Sequence, residues 1–273
     1  MKLTKTRFAA AAATVALGLG AAMPASAALV LRVSDTGSGL SFTCMDQNAA
    51  CDTNNTVGII GLDSAFANTA LGAGRAFDVA GASATSTNTG SQAQIDQSGN
   101  VTRLAGAGLF SIFFDASFDG FALPNRNLRR LSTSGTATFT DSVNAADNAT
   151  LRAFNDPDNK QFAGIAGDPN TNGNEFAAPV VTFQPSAGGC AGTNPVSCAG
   201  ASLLNGISEG DPFSLTNRFG ITTGPSGATA ESVQFTASTL KAGPLNAVPE
   251  PASMLLVGAG LLGMGLSGRR KKS

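Results

Sequence analysis

The sequence predicts a mainly-β protein: an antiparallel β-sandwich or jelly-roll-like domain, with a signal helix at the N-terminus and a single transmembrane helix at the C-terminus. Three observations predict it. Short apolar runs alternate with Gly, Asn, Thr, Ser and Asp through the middle of the chain. No long stretch repeats its apolar residues at helical spacing, and the density of Asn and Gly there opposes helix. Two charge-free apolar segments, one at each end, adjoin basic residues. The chain thus divides into a leader (residues 1–27), a β-rich body (residues 28–247) and a tail (residues 248–273).

In the leader, Lys2, Lys5 and Arg7 precede an uncharged stretch from Phe8 to Gly20, and Ala25-Ser26-Ala27 supplies an A-x-A run of small residues. That order is the pattern of a secretory signal peptide, with the cut between Ala27 and Ala28. An apolar core of about a dozen residues is too short for a permanent span. The expected partners are the Sec export machinery and signal peptidase.

In the body, residues 28–33, 57–62 and 109–114 are apolar runs bounded by turn residues and read as strands. Three further segments alternate with period two: Ala137 with Phe139, Val181 with Phe183, and Val233 with Phe235 and Ala237 each share a face. Residues 82–100 are almost wholly polar and predict a long loop or an exposed hairpin. No repeat of fixed period is present.

The formal charge of −1 hides an asymmetry. Of 17 Lys and Arg, three lie in the leader and four in the tail; of 18 Asp and Glu, only Glu250 lies outside the body. An exported body with such an acidic excess is a poor match for nucleic acid or an anionic membrane. The four cysteines fall into two local pairs, Cys44 with Cys51 and Cys190 with Cys198. Outside the cytosol this spacing predicts two short disulfide loops, each worth at most about 2.5 kcal/mol in the chain-entropy model. A zinc site is the alternative, but the spacing is not C-x₂-C and the chain has no His.

In the tail, Ala252 to Ser267 carries no charge, and Arg269, Arg270, Lys271 and Lys272 follow. As a helix the apolar stretch reaches about 24 Å, a span that thinning and snorkelling can complete. The basic end stays on the cytoplasmic side, so the body lies outside, in agreement with the leader. Just before the span stand Val248, Pro249, Glu250 and Pro251. Pro251 suits a first helical position and pushes Glu250 to an extended conformation, presenting it at the membrane surface.

Val-Pro-Glu-Pro, a short Gly- and Leu-rich span and a basic end, in that order, resemble the PEP-CTERM sorting domain over residues 248–272. The resemblance implies that exosortase, a membrane-embedded transpeptidase, recognises Pro249-Glu250-Pro251 and cuts nearby. It also implies transient residence in the inner membrane and a host that makes extracellular polysaccharide. A plain C-terminal anchor is the alternative.

Other motifs carry less chemistry. Gly206-Ile207-Ser208-Glu209-Gly210 matches G-x-S-x-G, yet the nucleophile needs an imidazole and the chain has no His. Asp168, Asn170 and Asn172, followed by Gly173, resemble the first half of a calcium loop, but its twelfth position is Pro179 and not Glu. Asp115 and Asp119 offer two carboxylates, which such spacing near a strand end assigns to turns rather than to glycoside hydrolysis. Arg126, Arg129 and Arg130 read as solvated Arg flanking a strand, with contact to an acidic polysaccharide as the alternative. There are 17 Phe but no Trp or Tyr, so the aromatic side chains suit a core better than a sugar platform.

The combined expectation is an exported, non-enzymatic cell-surface or exopolysaccharide-matrix protein without a cofactor, sorted and cleaved at its C-terminus. The alternative is a calcium- or glycan-binding surface module held by a plain anchor. A secreted enzyme is the third class, with no His, free Cys, metal motif or cofactor loop to carry it.

Overall fold

Alternation of inward apolar and outward polar side chains dictates the architecture. A computed structural model describes residues 28–242, apart from residues 105, 107, 124–128, 141–143, 188–189, 208–210 and 226–230. The elements in the first part of the chain are β1 (Leu29–Asp35), β2 (Leu40–Met45), β3 (Ile59–Leu62), α1 (Ser64–Ala70), β4 (Phe77–Asn88), β5 (Gln92–Arg103) and β6 (Phe110–Phe121). Then come β7 (Arg129–Thr140), β8 (Asn148–Asp156), β9 (Phe176–Ala177), β10 (Val181–Phe183), β11 (Val196–Ile207), β12 (Phe213–Thr223) and β13 (Ser232–Ala242). They form two sheets in the order β10-β8-β12-β6-β1-β2, with β9 on β8, and β11-β7-β13-β5-β4-β3. Every pairing is antiparallel. The expected sandwich is present. The last two strands are central: β12 lies between β8 and β6, and β13 lies between β7 and β5.

The core fills the space between the sheets. Phe219 of β12 stacks on Phe235 of β13 with ring centroids 4.3 Å apart and planes 10° apart, and Phe114 of β6 lies 4.9 Å from Phe235. Burying each such ring contributes roughly 1.5–3 kcal/mol. Gly99 makes room for this cluster, since a Cβ there would fall 2.5 Å from the Phe235 ring. Polar side chains also enter the interior, and there Gln97 Nε2 donates to Asn217 Oδ1 at 3.2 Å. A second small cluster of Val30, Phe154, Phe162 and Ile165 seals the outer face of the first sheet beneath the segment after β8.

The expected strands at residues 28–33, 57–62, 109–114, 136–140, 179–184 and 232–237 all overlap observed ones; β6, β7 and β13 run longer than expected, and β3 and β10 run shorter. Residues 82–100 correct the loop alternative. They form most of the β4–β5 hairpin, whose inward positions are Ala84, Ala93, Ile95 and Gln97. Helix α1 was not anticipated; its start is fixed by Asp63, whose carboxylate accepts from the backbone N–H of Ala65 and Phe66. Both disulfides, Cys44–Cys51 and Cys190–Cys198, are formed.

The signal helix and the transmembrane helix lie outside the described residues. No helix among the described residues is long and apolar enough to cross a membrane. The two ends of the body emerge at one pole of the sandwich. Leu29 pairs with Phe118 near the end of β6, Phe213 pairs with Phe121 at that end, and Ala242 pairs with Arg130 at the start of β7.

Candidate functional site

The residues that alternate with the core files of the second sheet point to solvent, and there the sequence supplies hydroxyls. One row crosses five strands as Ser83, Ser98, Thr236, Thr136 and Ala199; the next crosses as Thr85, Asp96, Ser238, Ser134 and Ala201. Cross-strand hydroxyls pair at 2.9 Å: Ser83 with Ser98, Thr136 with Thr236, and Thr138 with Ser197. An open depression of about 730 Å³ lies over these rows. Among the described residues its lining holds no aromatic or basic side chain, and Asp96 is its one charged group, hydrogen-bonded by Gln94. Small hydroxyls on a pleat both donate and accept, which suits a neutral, hydroxyl-rich chain better than an ion.

The pole holding both ends of the body is built differently. The backbone N–H of Ala28 donates to Asp119 Oδ1 at 3.0 Å, and the Ala28 carbonyl accepts from Gln161 Nε2 at 2.7 Å. Asp119 is therefore committed to the start of the body. Asp115, four residues earlier, is buried between Arg32 (3.2 Å) and Arg218 (3.5 Å). Burial pushes its carboxyl up from the usual range, and the two guanidinium groups oppose that push. The two acids thus serve different structural networks.

The calcium-like residues do not converge on a point. Asp168 Oδ2 is held by Arg32 Nη1 at 2.6 Å, and its Oδ1 accepts from Asn170 N. Asn170 Nδ2 donates to the Gln161 carbonyl at 2.8 Å, and Asn172 Nδ2 donates to Asp158. No group of three or more His, Cys, Asp or Glu among the described residues is arranged to hold a metal ion. The arginine cluster is corrected in part. Arg129 is buried, with Nη1 on Asp211 Oδ1 at 3.1 Å and Nη2 on the Leu123 carbonyl at 2.5 Å. It occupies an inward position of β7, so it is not a solvated flank. Arg126, Ser208, Glu209 and Gly210 lie outside the described residues.

Two buried ionisable side chains and one buried amide were not legible in the sequence. Glu231 is fully buried beside Asp147, and burial first, then the Asp147 charge, push it up to about 8. Lys241 is fully buried at the end of β13; burial first, then the Arg129 charge, bring it down to about 6. Its partner Asn155 of β8 is fully buried too. The available signal was positional. Lys241 continues the inward file Val233, Phe235, Ala237, Thr239, and Asn155 continues Ala149, Leu151, Ala153.

Residues 247–271 match the family model of the PEP-CTERM protein-sorting motif. The chain carries that motif in its C-terminal region. The matched segment includes Val248, Pro249, Glu250, Pro251, Arg269, Arg270 and Lys271; Lys272 falls one residue beyond it. These residues, like Ala25 and Ala27 of the leader, lie outside the described residues. No curated protein matches the chain.

Proposed function

We propose that this is an exported, non-enzymatic cell-surface or exopolysaccharide-matrix protein, cut by exosortase at its C-terminal signal, whose β-sandwich is the delivered part. The sorting motif at residues 247–271 carries the reading. Only residues 243–247 separate Val248 from Ala242, the last residue of β13. Fully extended, those five residues reach about 17 Å, so before the cut the pole bearing Ala242 is held close to the membrane. A cut beside Glu250 spares every described strand.

The opposite terminus supports the same route. Export through the Sec machinery and cleavage by signal peptidase before Ala28 would give that residue a charged amino group. Asp119 already accepts from this nitrogen, and the pair would become a charge-assisted bond. The inner membrane is then a temporary station and the cell surface or matrix the destination.

Mass spectrometry of the exported protein tests the proposal. The expected product starts at Ala28 and lacks Arg269 to Ser273. A product that keeps the basic end and stays in the inner membrane replaces the reading with a plain anchor. Glu250→Ala is expected to block release, with the uncut chain accumulating in the membrane fraction.

The hydroxyl-lined face favours a second reading, a glycan-binding surface module. Its occupant would be a neutral polysaccharide strand lying across the Thr136 and Thr236 rows. Co-sedimentation with the host's exopolysaccharide tests it: Thr236→Glu should weaken retention, and equal retention would remove this face from the account.

A further inference from the structure

A lysine amine and an asparagine amide meet inside the sandwich, on different sheets. Lys241 Nζ donates to Asn155 Oδ1 at 2.7 Å across 86 positions of sequence, and both side chains are 0 % exposed. Each stands at the last inward position of its strand, β13 in one sheet and β8 in the other. The meeting is imposed by the alternation of the two strands. Burial in so dry a site penalises the charged ammonium form of the amine.

We propose that Lys241 and Asn155 become joined by an intramolecular amide bond that ties the last strand of the fold to the opposite sheet. The amine lone pair of Nζ attacks Cγ of Asn155, forming a carbon–nitrogen bond. The bond from Cγ to Nδ2 then breaks. The departing nitrogen takes a proton from the attacking amine and leaves as ammonia. An amine and a primary amide become a secondary amide and ammonia, with no change in oxidation state and no co-reactant.

Four features favour the step. The hydrogen bond places Nζ against the carbonyl it must attack, replacing a bimolecular encounter by a held pair. Burial holds the amine in its neutral, nucleophilic form at neutral pH, since Lys241 is brought down to about 6. The Phe213 ring lies 3.4 Å from Nζ and packs on Phe121 at 5.7 Å, so water is kept from competing with the amine. The positive charge of Arg129, which helps to keep the amine neutral, also favours the negative charge that develops on Oδ1 during attack.

The product has a mechanical sense. β13 is the strand nearest the sorting motif, so pull on an uncut tail acts on it first. A covalent bond from Lys241 to β8 carries that load into the first sheet. This consequence rests on the sorting reading; the bond does not, because it needs only the folded body.

The test is peptide mapping of the purified full chain with its disulfides reduced. The expected protein is lighter than its sequence by one ammonia, and trypsin fails at Lys241. A branched peptide then joins Ala153–Lys160 to the segment beginning at Phe219. Asn155→Ala restores the full mass and the cleavage at Lys241. Full mass with normal cleavage at Lys241 in the wild-type chain overturns the proposal. So does an ammonia loss confined to a linear peptide, which is a succinimide at an asparagine. Neither result bears on whether the tail is cut, which the mature C-terminus reports separately.

Discussion

Glu231 shows how one inward side chain sets a pH dependence. The group is fully buried and pushed up to about 8, so the folded body holds a proton there that an unfolded chain releases near 4.5. Its stabilising contribution is complete below about pH 4.5 and is lost as pH rises through 8. The slope between those limits is about 1.4 kcal/mol per pH unit. Replacing the acid by its neutral isostere, Glu231→Gln, should remove that decline. Urea midpoints measured from pH 4.5 to 6, below the range in which Lys241 titrates in either state, are expected to fall more steeply with pH in the wild type than in the variant. A parallel fall in both would move the cause elsewhere. Arg32 sets a second expectation at this scale. Because its guanidinium occupies Asp168, calcium must displace a salt bridge before it can use that carboxylate. Melting temperature is expected to be unchanged by millimolar calcium, and a clear upward shift would restore Asp168, Asn170 and Asn172 as a site.

At the scale of the element, some glycines stand where a side chain would strike the neighbouring strand. Gly135 sits at an inward position of β7, and a Cβ there would fall 2.5 Å from the Thr236 carbonyl oxygen and 2.9 Å from Leu151 Cδ2. Backbone cannot yield cheaply, so Gly135→Ala should cost about 1–3 kcal/mol. Gly81, in β4, meets nothing within 4 Å, and Gly81→Ala is expected to be neutral or slightly stabilising. Comparing the two denaturation midpoints checks the claim that the room around the position, not glycine itself, decides the effect. The same elements show what the sequence made legible. β13 was readable because Val233, Phe235 and Ala237 alternate with polar neighbours that face water. β12 was not, because it is buried on both faces and carries Asn217 at an inward position, which erases the alternation. β4 and β5 were hidden for a related reason: their outer faces are mostly hydroxyl and amide, with Asp96 among them, and Gln97 takes a core position through its bond to Asn217. The hydroxyl-lined face was illegible as a site, since its rows assemble from five strands only once the register is known. The sorting motif was legible because its segments are contiguous in sequence.

For the whole molecule, the order of strands decides what the tail can lose. β13 pairs with β5 along one edge and β7 along the other over its full length, so the second sheet has a gap until the last described residues are in place. The sorting motif begins just past that strand, so folding and sorting use adjacent but separate stretches of chain. A chain ending at Ala247 should therefore fold like the mature protein, with its melting temperature within a degree or so of the exosortase-cut form. A chain ending at Glu231 loses β13, exposes the edges of β5 and β7, and removes Phe235 from the stack with Phe219 and Phe114. Unpaired edges beside an open apolar core favour association over folding. The expected outcome is insoluble or aggregated material without a cooperative transition. Circular dichroism melts and size-exclusion profiles of the two truncations distinguish the cases. If the chain ending at Glu231 melts cooperatively as a monomer, β13 is an appendage to the sandwich and the short link between fold and motif loses its significance. If the chain ending at Ala247 fails as well, the tail contributes to the body and cannot be only a signal that is cut away.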